Sequence, residues 1–129
     1  MPNKILIVDD EEDTVRLAQK LLISQGFSVV TAYNGEEALN RLYNSKEKDP
    51  DLILLDLKMP KKDGFEVCQK IKQDPEKKHI LILVFTAKTF DKDRNLAYEL
   101  GADEYITKPF SGENLVNIIK EMLEKRKIS

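Results

Sequence analysis

Short apolar runs alternate with longer amphipathic segments along the whole chain. Three runs, at 5–8, 52–55 and 81–85, are continuous and rich in branched or large apolar side chains, which is typical of strands covered on both faces in a parallel sheet. Two more, at 28–32 and 104–107, are shorter and more polar, which is typical of edge strands. The pattern therefore predicts five strands, two of them at the edges of a sheet.

Helix-period segments lie between these runs, and local end signals set their limits. The first predicted helix ends at Gly26 and carries an apolar stripe of six positions: Thr14, Leu17, Ala18, Leu21, Leu22 and Gln25. Asn34 followed by Glu37 predicts an N-cap with a reciprocating carboxylate at the start of the second helix. Three more helices are predicted over about 65–75, 93–100 and 111–127.

The alternation of strand and helix, repeated five times, predicts an α/β fold: an open five-stranded parallel sheet with helices on both faces. Right-handed crossovers leave few topologies for such a sheet. The 129 residues are about the length of one domain, and no repeat, linker or low-complexity tract divides them. We therefore expect a single domain over 1–129.

Composition and charge exclude several classes of function. Twenty-one Lys and Arg against 23 Asp and Glu give a net charge of −2, which favours neither nucleic acid nor an anionic membrane as a partner. The single cysteine, Cys68, excludes an intramolecular disulfide. No apolar stretch approaches the roughly 18 residues of a membrane span, and no cleavable leader precedes the first strand. These features predict a cytoplasmic protein that binds no nucleic acid or membrane directly.

Charged and hydroxyl side chains collect at the carboxyl ends of the predicted strands, where ligands bind in folds of this class. Asp9 and Asp10 follow the first strand, Asp56 the third, Thr86 the fourth and Lys108 the fifth. If the first and third strands are neighbours, the three carboxylates share one small volume, and two of them about 4 Å apart repel by about 4 kcal/mol. One divalent cation would neutralise the charge that remains beside Lys108, and an oxygen-only ligand set favours Mg²⁺. The alternative is that Asp9 and Asp10 only cap the first helix.

The motifs at these strand ends resemble the receiver domains of two-component response regulators, of the chemotaxis-regulator type. The resemblance covers the chain from Lys4 to about Lys125. It rests on ILIVDD at 5–10, LLDLKMP at 54–60 with a DG pair at 63–64, VFTA at 84–87, and GADEYITKPF at 101–110. It implies a flavodoxin-like doubly wound sheet with the strand order 2-1-3-4-5.

The resemblance implies a phospho-accepting signalling switch. Asp56 would receive a phosphoryl group from a sensor histidine kinase or a phosphotransfer protein and hold it as an aspartyl phosphate. Asp10 and Asp56 would bind Mg²⁺ directly, Asp9 would reach it through water, and the backbone carbonyl of Lys58 would be a further ligand. The domain would promote its own phosphorylation and dephosphorylation without being a turnover enzyme.

The resemblance also assigns the residues that bind the phosphoryl group and transmit its arrival. Lys108, Thr86 and Ala87 would bind the phosphoryl oxygens, and Pro109 would orient Lys108 through a cis peptide bond. Thr86 and Tyr105 would form the switch pair, because the threonine moves toward the phosphoryl group and the ring swings inward behind it. The alternative for Tyr105 is an edge-strand aromatic residue selected for its β-propensity.

Phosphorylation is expected to remodel the face formed by the fourth helix, fifth strand and fifth helix. That face would bind a target protein or a second copy of the chain. The first helix, with Val15 and Leu22 on its flank, is the expected docking site for the kinase. In the loop after the acceptor, Gly64 is expected to supply a positive φ.

Two lysines depart from the commoner family pattern. Lys58 and Lys88 lie two residues after the acceptor and two after the threonine, where many members carry acidic or amide side chains. Such side chains can orient an attacking water, whereas a charged lysine cannot act as its base. We therefore expect slow loss of the phosphoryl group; the alternative is that both lysines point into solvent.

Other classes of protein fit the sequence less well. A flavin-binding protein of the same fold would need a glycine- or hydroxyl-rich phosphate loop after the first strand, where this chain has carboxylates at 9–13. A phosphatase with an aspartate nucleophile would need a general acid two residues later, where Lys58 stands. A receiver domain that belongs to a larger DNA-binding regulator or hybrid kinase stays open as an alternative.

Overall fold

The computed structural model describes residues 3–57, 64–86, 91–108 and 110–128. Within them the strands are β1 (Lys4–Val8), β2 (Ser28–Ala32), β3 (Leu52–Leu55), β4 (Leu81–Thr86) and β5 (Glu104–Thr107). The helices are α1 (Glu12–Ser24), α2 (Gly35–Tyr43), α3 (Gly64–Gln73), α4 (Asp91–Glu99) and α5 (Gly112–Ile128). Every predicted strand and helix is therefore present, with small differences at the ends.

The five strands form one parallel sheet in the order β2-β1-β3-β4-β5. β1 lies between β2 and β3, with Ile5 paired to Val29 on one side and to Leu52 on the other. Strand order reverses at β1, so the sheet has a switch point between β1 and β3, where ligands bind in doubly wound folds. The predicted fold class and strand order are confirmed, and the two more polar strands lie at the edges.

Two hydrophobic cores cover the two faces of the sheet, because successive side chains of a strand point to opposite faces. Leu6, Val8, Ile53 and Leu55 pack in the core beneath α2, α3 and α4. Ile5, Ile7, Leu52 and Leu54 pack in the core beneath α1 and α5. Burial on both faces explains why β3 and residues 5–8 of β1 are unbroken apolar runs.

Helix α1 buries only part of the predicted stripe: Ala18 and Leu22 are buried and Leu21 packs against the same core, but the stripe is centred on another row. Val15, Ala18 and Leu22 are buried in the core, whereas Leu17 is 64% exposed. Two apolar rows with helical spacing lie side by side on α1, and the row containing the small Ala18 faces the sheet. The prediction that Val15 and Leu22 form an outer docking flank is therefore wrong, since both are in the interior; the large apolar residues that α1 exposes are Leu17 and Ile23.

Local signals place the helix ends where the sequence predicted them. The Asn34 side chain accepts a hydrogen bond from the Glu37 N–H at 2.8 Å, and the Glu37 carboxylate accepts one from the Tyr33 N–H at 3.3 Å. Ser111 Oγ accepts a hydrogen bond from the Asn114 N–H at 3.0 Å and caps α5. None of the helices in the described part of the chain is long and apolar enough to span a membrane.

Candidate functional site

Backbone hydrogen bonds fix the residues that follow the strands at the carboxyl edge of the sheet. The Asp56 N–H donates to the Val8 carbonyl at 2.9 Å, and the Lys108 N–H donates to the Thr86 carbonyl at 2.9 Å. The Asp9 N–H donates to the carbonyl of Ala32, the last residue of β2, at 3.2 Å. The positions of Asp9, Asp56 and Lys108 are therefore set by the sheet rather than by flexible loops.

The ammonium group of Lys108 lies at the centre of this edge and joins three elements. Its Nζ donates to Asp9 Oδ2 at 2.7 Å, to Glu11 Oε1 at 3.0 Å and to Asp56 Oδ2 at 3.2 Å. It also lies 4.9 Å from the centre of the Phe85 ring, a cation–π distance. The prediction that Asp9, Asp56 and Lys108 lie close together is therefore confirmed.

The charged side chains of Asp9, Asp56 and Lys108 are largely buried, so each ionised group loses most of its contact with water. Asp9 is fully buried and Asp56 is 4% exposed. Removal from water raises the pKa of Asp9, and this outweighs the hydrogen bonds from Lys108 and the Glu11 N–H. Burial alone would lower the pKa of Lys108, but its bonds to Asp9 and Glu11 and the charge of Asp56 raise it well above its usual value. Lys108 therefore stays positively charged and offsets the negative charge of the buried carboxylates.

Asp9 has a structural task besides its contact with Lys108. Its Oδ1 accepts the Glu11 N–H at 3.0 Å, just before α1 begins. This bond orders the turn before α1 but does not cap the helix, whose N-cap is Glu11, so the alternative that Asp9 only caps the first helix is wrong. Asp10 is exposed, and partial burial and the neighbouring Asp9 raise its pKa.

A set of three carboxylates could hold a metal ion. One oxygen each from Asp9, Glu11 and Asp56 lie within 4.8 Å of one another among the described residues, and this set does not include Asp10. Glu11 was not predicted as a site residue, although its place in the acidic run after β1 was a signal that could have indicated it. Lys58, predicted as a metal ligand, and Ala87, predicted to bind the phosphoryl group, lie outside the described residues, as do Lys88 and Pro109.

Gly64 lies against the backbone of Asp56 and Leu57 in a way that the sequence did not reveal. A Cβ at this position would lie 2.4 Å from the backbone oxygen of Asp56 and 2.6 Å from the Cα of Leu57. Gly64 is not among the described glycines with positive φ, which are Gly26 and Gly101, so the prediction of a positive φ is wrong. Glycine is required here because the start of α3 touches the backbone next to Asp56.

Thr86 and Tyr105 lie on the same face of neighbouring strands. Thr86 pairs with Thr107 and Val84 pairs with Tyr105, so the two predicted switch residues are one diagonal step apart. Thr86 is fully buried, and the half-buried Tyr105 packs against the core beneath α2, α3 and α4. The Arg94 guanidinium lies 5.2 Å from the centre of the Tyr105 ring and joins α4 to β5.

The arrangement as a whole is that of a CheY-like α/β signalling domain: a 2-1-3-4-5 sheet whose strand ends gather carboxylates, a buried threonine and a lysine. The family model for the response regulator receiver domain matches residues 5–120. The chain belongs to this family, whose general function is that of a phospho-accepting switch in two-component signalling. The resemblance found in the sequence is confirmed.

Individual relatives agree with this assignment. The alkaline phosphatase synthesis transcriptional regulatory protein PhoP of Bacillus subtilis (strain 168) is 46% identical over 129 residues, which are 100% of this chain and 52% of that protein. The chain thus spans about half the length of this curated relative. A CheY-like receiver domain protein from Methanospirillum hungatei JF-1 superposes with a TM-score of 0.90 at 27% identity, covering 98% of each chain. The phosphorylated cyanobacterial phytochrome response regulator RcpA gives 0.84 at 37% identity, covering 96% of this chain and 93% of that one.

Proposed function

We propose that Asp56 is the phosphoryl acceptor of this receiver domain. The observation that carries the proposal is the contact of Asp56 with Lys108 beside the buried Asp9, at the switch point between β1 and β3. A nucleophile needs a fixed position and nearby positive charge for phosphoryl transfer, since positioning and charge neutralisation supply most of the catalysis. Asp56 has both.

The donor in this proposal is a phosphohistidine on a sensor histidine kinase or a phosphotransfer protein. The phosphorus–nitrogen bond breaks, and a phosphorus–oxygen bond to a carboxylate oxygen of Asp56 forms. The imidazole leaves with the bonding electron pair and takes up a proton. Lys108 would hydrogen-bond the phosphoryl oxygens and offset their charge, and Thr86 and the backbone at Ala87 would bind them from β4.

The donor atoms present fit Mg²⁺, which prefers oxygen ligands. Asp10 and Asp56 would hold the ion directly and Asp9 would reach it through water, with the carbonyl of Lys58 as the further ligand that the family resemblance implies. When bound, Mg²⁺ would supply positive charge to the transferring phosphoryl oxygens. Lys108 neutralises only one of the three carboxylates that it contacts, so the site retains the negative charge that attracts a divalent cation.

The proposed domain promotes its own phosphorylation and dephosphorylation but does not turn over a substrate as an enzyme does. It acts in the cytoplasm, where its kinase partner would dock near the exposed Leu17 and Ile23 of α1. Its net charge of −2 favours protein partners over direct contact with nucleic acid or membrane. The slow dephosphorylation expected from Lys58 and Lys88 stays a prediction.

We expect one phosphoryl group to be added at Asp56 when the protein is incubated with acetyl phosphate and Mg²⁺. Intact-mass measurement should show a single addition in the wild type and none in Asp56→Asn, which keeps the shape of the side chain but not its charge. A chelator should suppress the addition. Equal labelling of Asp56→Asn, or labelling that the chelator leaves unchanged, contradicts the assignment.

We expect Thr86 to carry the signal from Asp56 to Tyr105. A hydrogen bond to a charged phosphoryl group is worth roughly 1.5–3 kcal/mol, enough to reverse a two-state equilibrium with a gap of about 1–2 kcal/mol. Inward movement of Thr86 would change the space beside Tyr105 and the surface of α4, β5 and α5. That surface would then bind a target protein or a second copy of the chain.

The measurement is a comparison of amide chemical shifts with and without a phosphoryl mimic. In the wild type and in Thr86→Ser, changes should extend from Asp56 to β5 and α4. In Thr86→Ala they should stay near the acceptor. If Thr86→Ala transmits the change as fully as the wild type does, the coupling of Thr86 to Tyr105 is wrong even where Asp56 is labelled.

A further inference from the structure

The hydrogen-bonding capacity of Lys108 is taken up by carboxylates. A lysine ammonium has three N–H donors. Its Nζ lies within 3.2 Å of one oxygen from each of Asp9, Glu11 and Asp56, so each donor has an acceptor among the described residues. If Lys108 is to bind a phosphoryl oxygen, one of these three acceptors has to give up its hydrogen bond.

The three acceptors differ in how readily they can be released. Asp9 is fully buried, and leaving its carboxylate without a partner carries a large desolvation cost. Asp56 is the group that would itself receive the phosphoryl group. The Glu11 side chain is 63% exposed, so water can replace Lys108 as its partner at little cost.

Glu11 also has no evident task in building the fold. It occupies the N-cap position of α1, but its side chain makes no capping hydrogen bond. The bonds that fix this turn come from its backbone: its N–H donates to Asp9 Oδ1, and its carbonyl accepts from the Val15 N–H at 3.0 Å. A change of the side chain therefore leaves the helix start intact.

We propose that Glu11 is a positioning residue that holds the place of a phosphoryl oxygen on Lys108 until the phosphodonor arrives. Glu11 keeps the ammonium at the mouth of the site and yields its hydrogen bond when the donor binds. This inference rests on the proposed function of Asp56. It adds that the Glu11 carboxylate competes with the phosphoryl oxygens of the donor for a hydrogen bond from Lys108.

The test compares Glu11→Ala with Glu12→Ala in acetyl phosphate labelling at saturating Mg²⁺. In the reaction the bond between phosphorus and the acyl oxygen breaks, acetate leaves with the electron pair, and phosphorus bonds to Asp56. Glu12 is the matched control, because it is the adjacent exposed glutamate in the first turn of α1 and is not among the carboxylates that contact Lys108. The rate of labelling is measured against donor concentration for each variant.

Glu11→Ala should lower the half-saturating concentration of acetyl phosphate about threefold, with the maximal rate changed by less than about twofold. Glu12→Ala should leave both close to the wild type.

The outcomes separate this inference from the proposed function. A wild type that is not labelled at Asp56 overturns the proposed function. A labelled wild type with the same half-saturating concentration in Glu11→Ala and Glu12→Ala overturns the role of Glu11 alone. A half-saturating concentration that rises in Glu11→Ala also overturns it.

Discussion

Lys108→Met should lower the free energy of unfolding by about 3–5 kcal/mol, the usual cost of removing one partner of a buried ion pair. Methionine fills similar space but leaves Asp9 and Asp56 without their shared ammonium. Both carboxylates are buried, so water cannot replace the lysine without opening the strand ends. Urea unfolding of the wild type and the variant, both in chelator, measures the difference.

Lys77→Met is the matched control for this experiment. Lys77 is nearly as buried as Lys108, with 16% against 12% of the side chain exposed, and lies 2.8 Å from a carboxylate oxygen of Asp49. It contacts one partly exposed carboxylate rather than two buried ones, so its loss should cost no more than about 1 kcal/mol. Equal losses in the two variants would contradict the view that Lys108 compensates buried charge.

The instability of Lys108→Met should depend on pH. Burial already raises the pKa of Asp9 in the folded protein, and loss of the ammonium removes the contacts that oppose this rise. A carboxyl whose pKa is higher in the folded than in the unfolded state binds its proton preferentially in the folded state. Stability therefore falls as the pH rises between the two pKa values, and the variant should be less destabilised near about pH 5 than near about pH 8.

Gly64→Ala should both destabilise the protein and impair phosphorylation. The new Cβ would lie 2.4 Å from the Asp56 carbonyl oxygen and 2.6 Å from the Leu57 Cα, so α3 or the backbone that follows β3 has to shift. Both contacts are with backbone, which yields less readily than the end of a side chain. We expect a loss of at least about 2 kcal/mol in the free energy of unfolding. Displacement of Asp56 should slow labelling by acetyl phosphate at least about tenfold.

Gly26→Ala is the matched control, because it introduces backbone strain without a steric clash, whereas Gly64→Ala introduces a clash. Gly26 has a φ of 93°, and a Cβ there would meet nothing within 4 Å. Its substitution should cost about 1–2 kcal/mol and leave the labelling rate of the remaining folded protein unchanged. If Gly64→Ala labels as fast as Gly26→Ala, the contact of Gly64 with the Asp56 backbone does not position the acceptor.

The fold could be predicted from the sequence because local and long-range signals agree in this chain. Strands buried on both faces must be apolar at every position, and Gly26, Asn34 and Ser111 end or begin helices by short-range hydrogen bonding and backbone geometry. The buried stripe of α1 was less well determined. Two apolar rows lie side by side there, and their order along the chain does not show that Ala18 is buried and Leu17 exposed.

The candidate site could be predicted only as far as strand ends determine it. The parallel sheet brings Asp9, Asp56 and Lys108 together because each directly follows a strand, so their proximity does not depend on the conformation of the loops. The contact of Glu11 with Lys108 depends on the turn that precedes α1, and the need for Gly64 depends on how closely α3 approaches β3. Neither distance is encoded in a pattern of apolar positions.

The central claim, that Asp56 is the phosphoryl acceptor, is tested most directly by locating the modified residue. Protein labelled with acetyl phosphate and Mg²⁺ is treated with borohydride, which reduces an aspartyl phosphate to homoserine, and its peptides are analysed by mass spectrometry. The account predicts homoserine at position 56, with unmodified aspartate at positions 9 and 10. Homoserine at Asp9 or Asp10, or none in labelled protein, would contradict it.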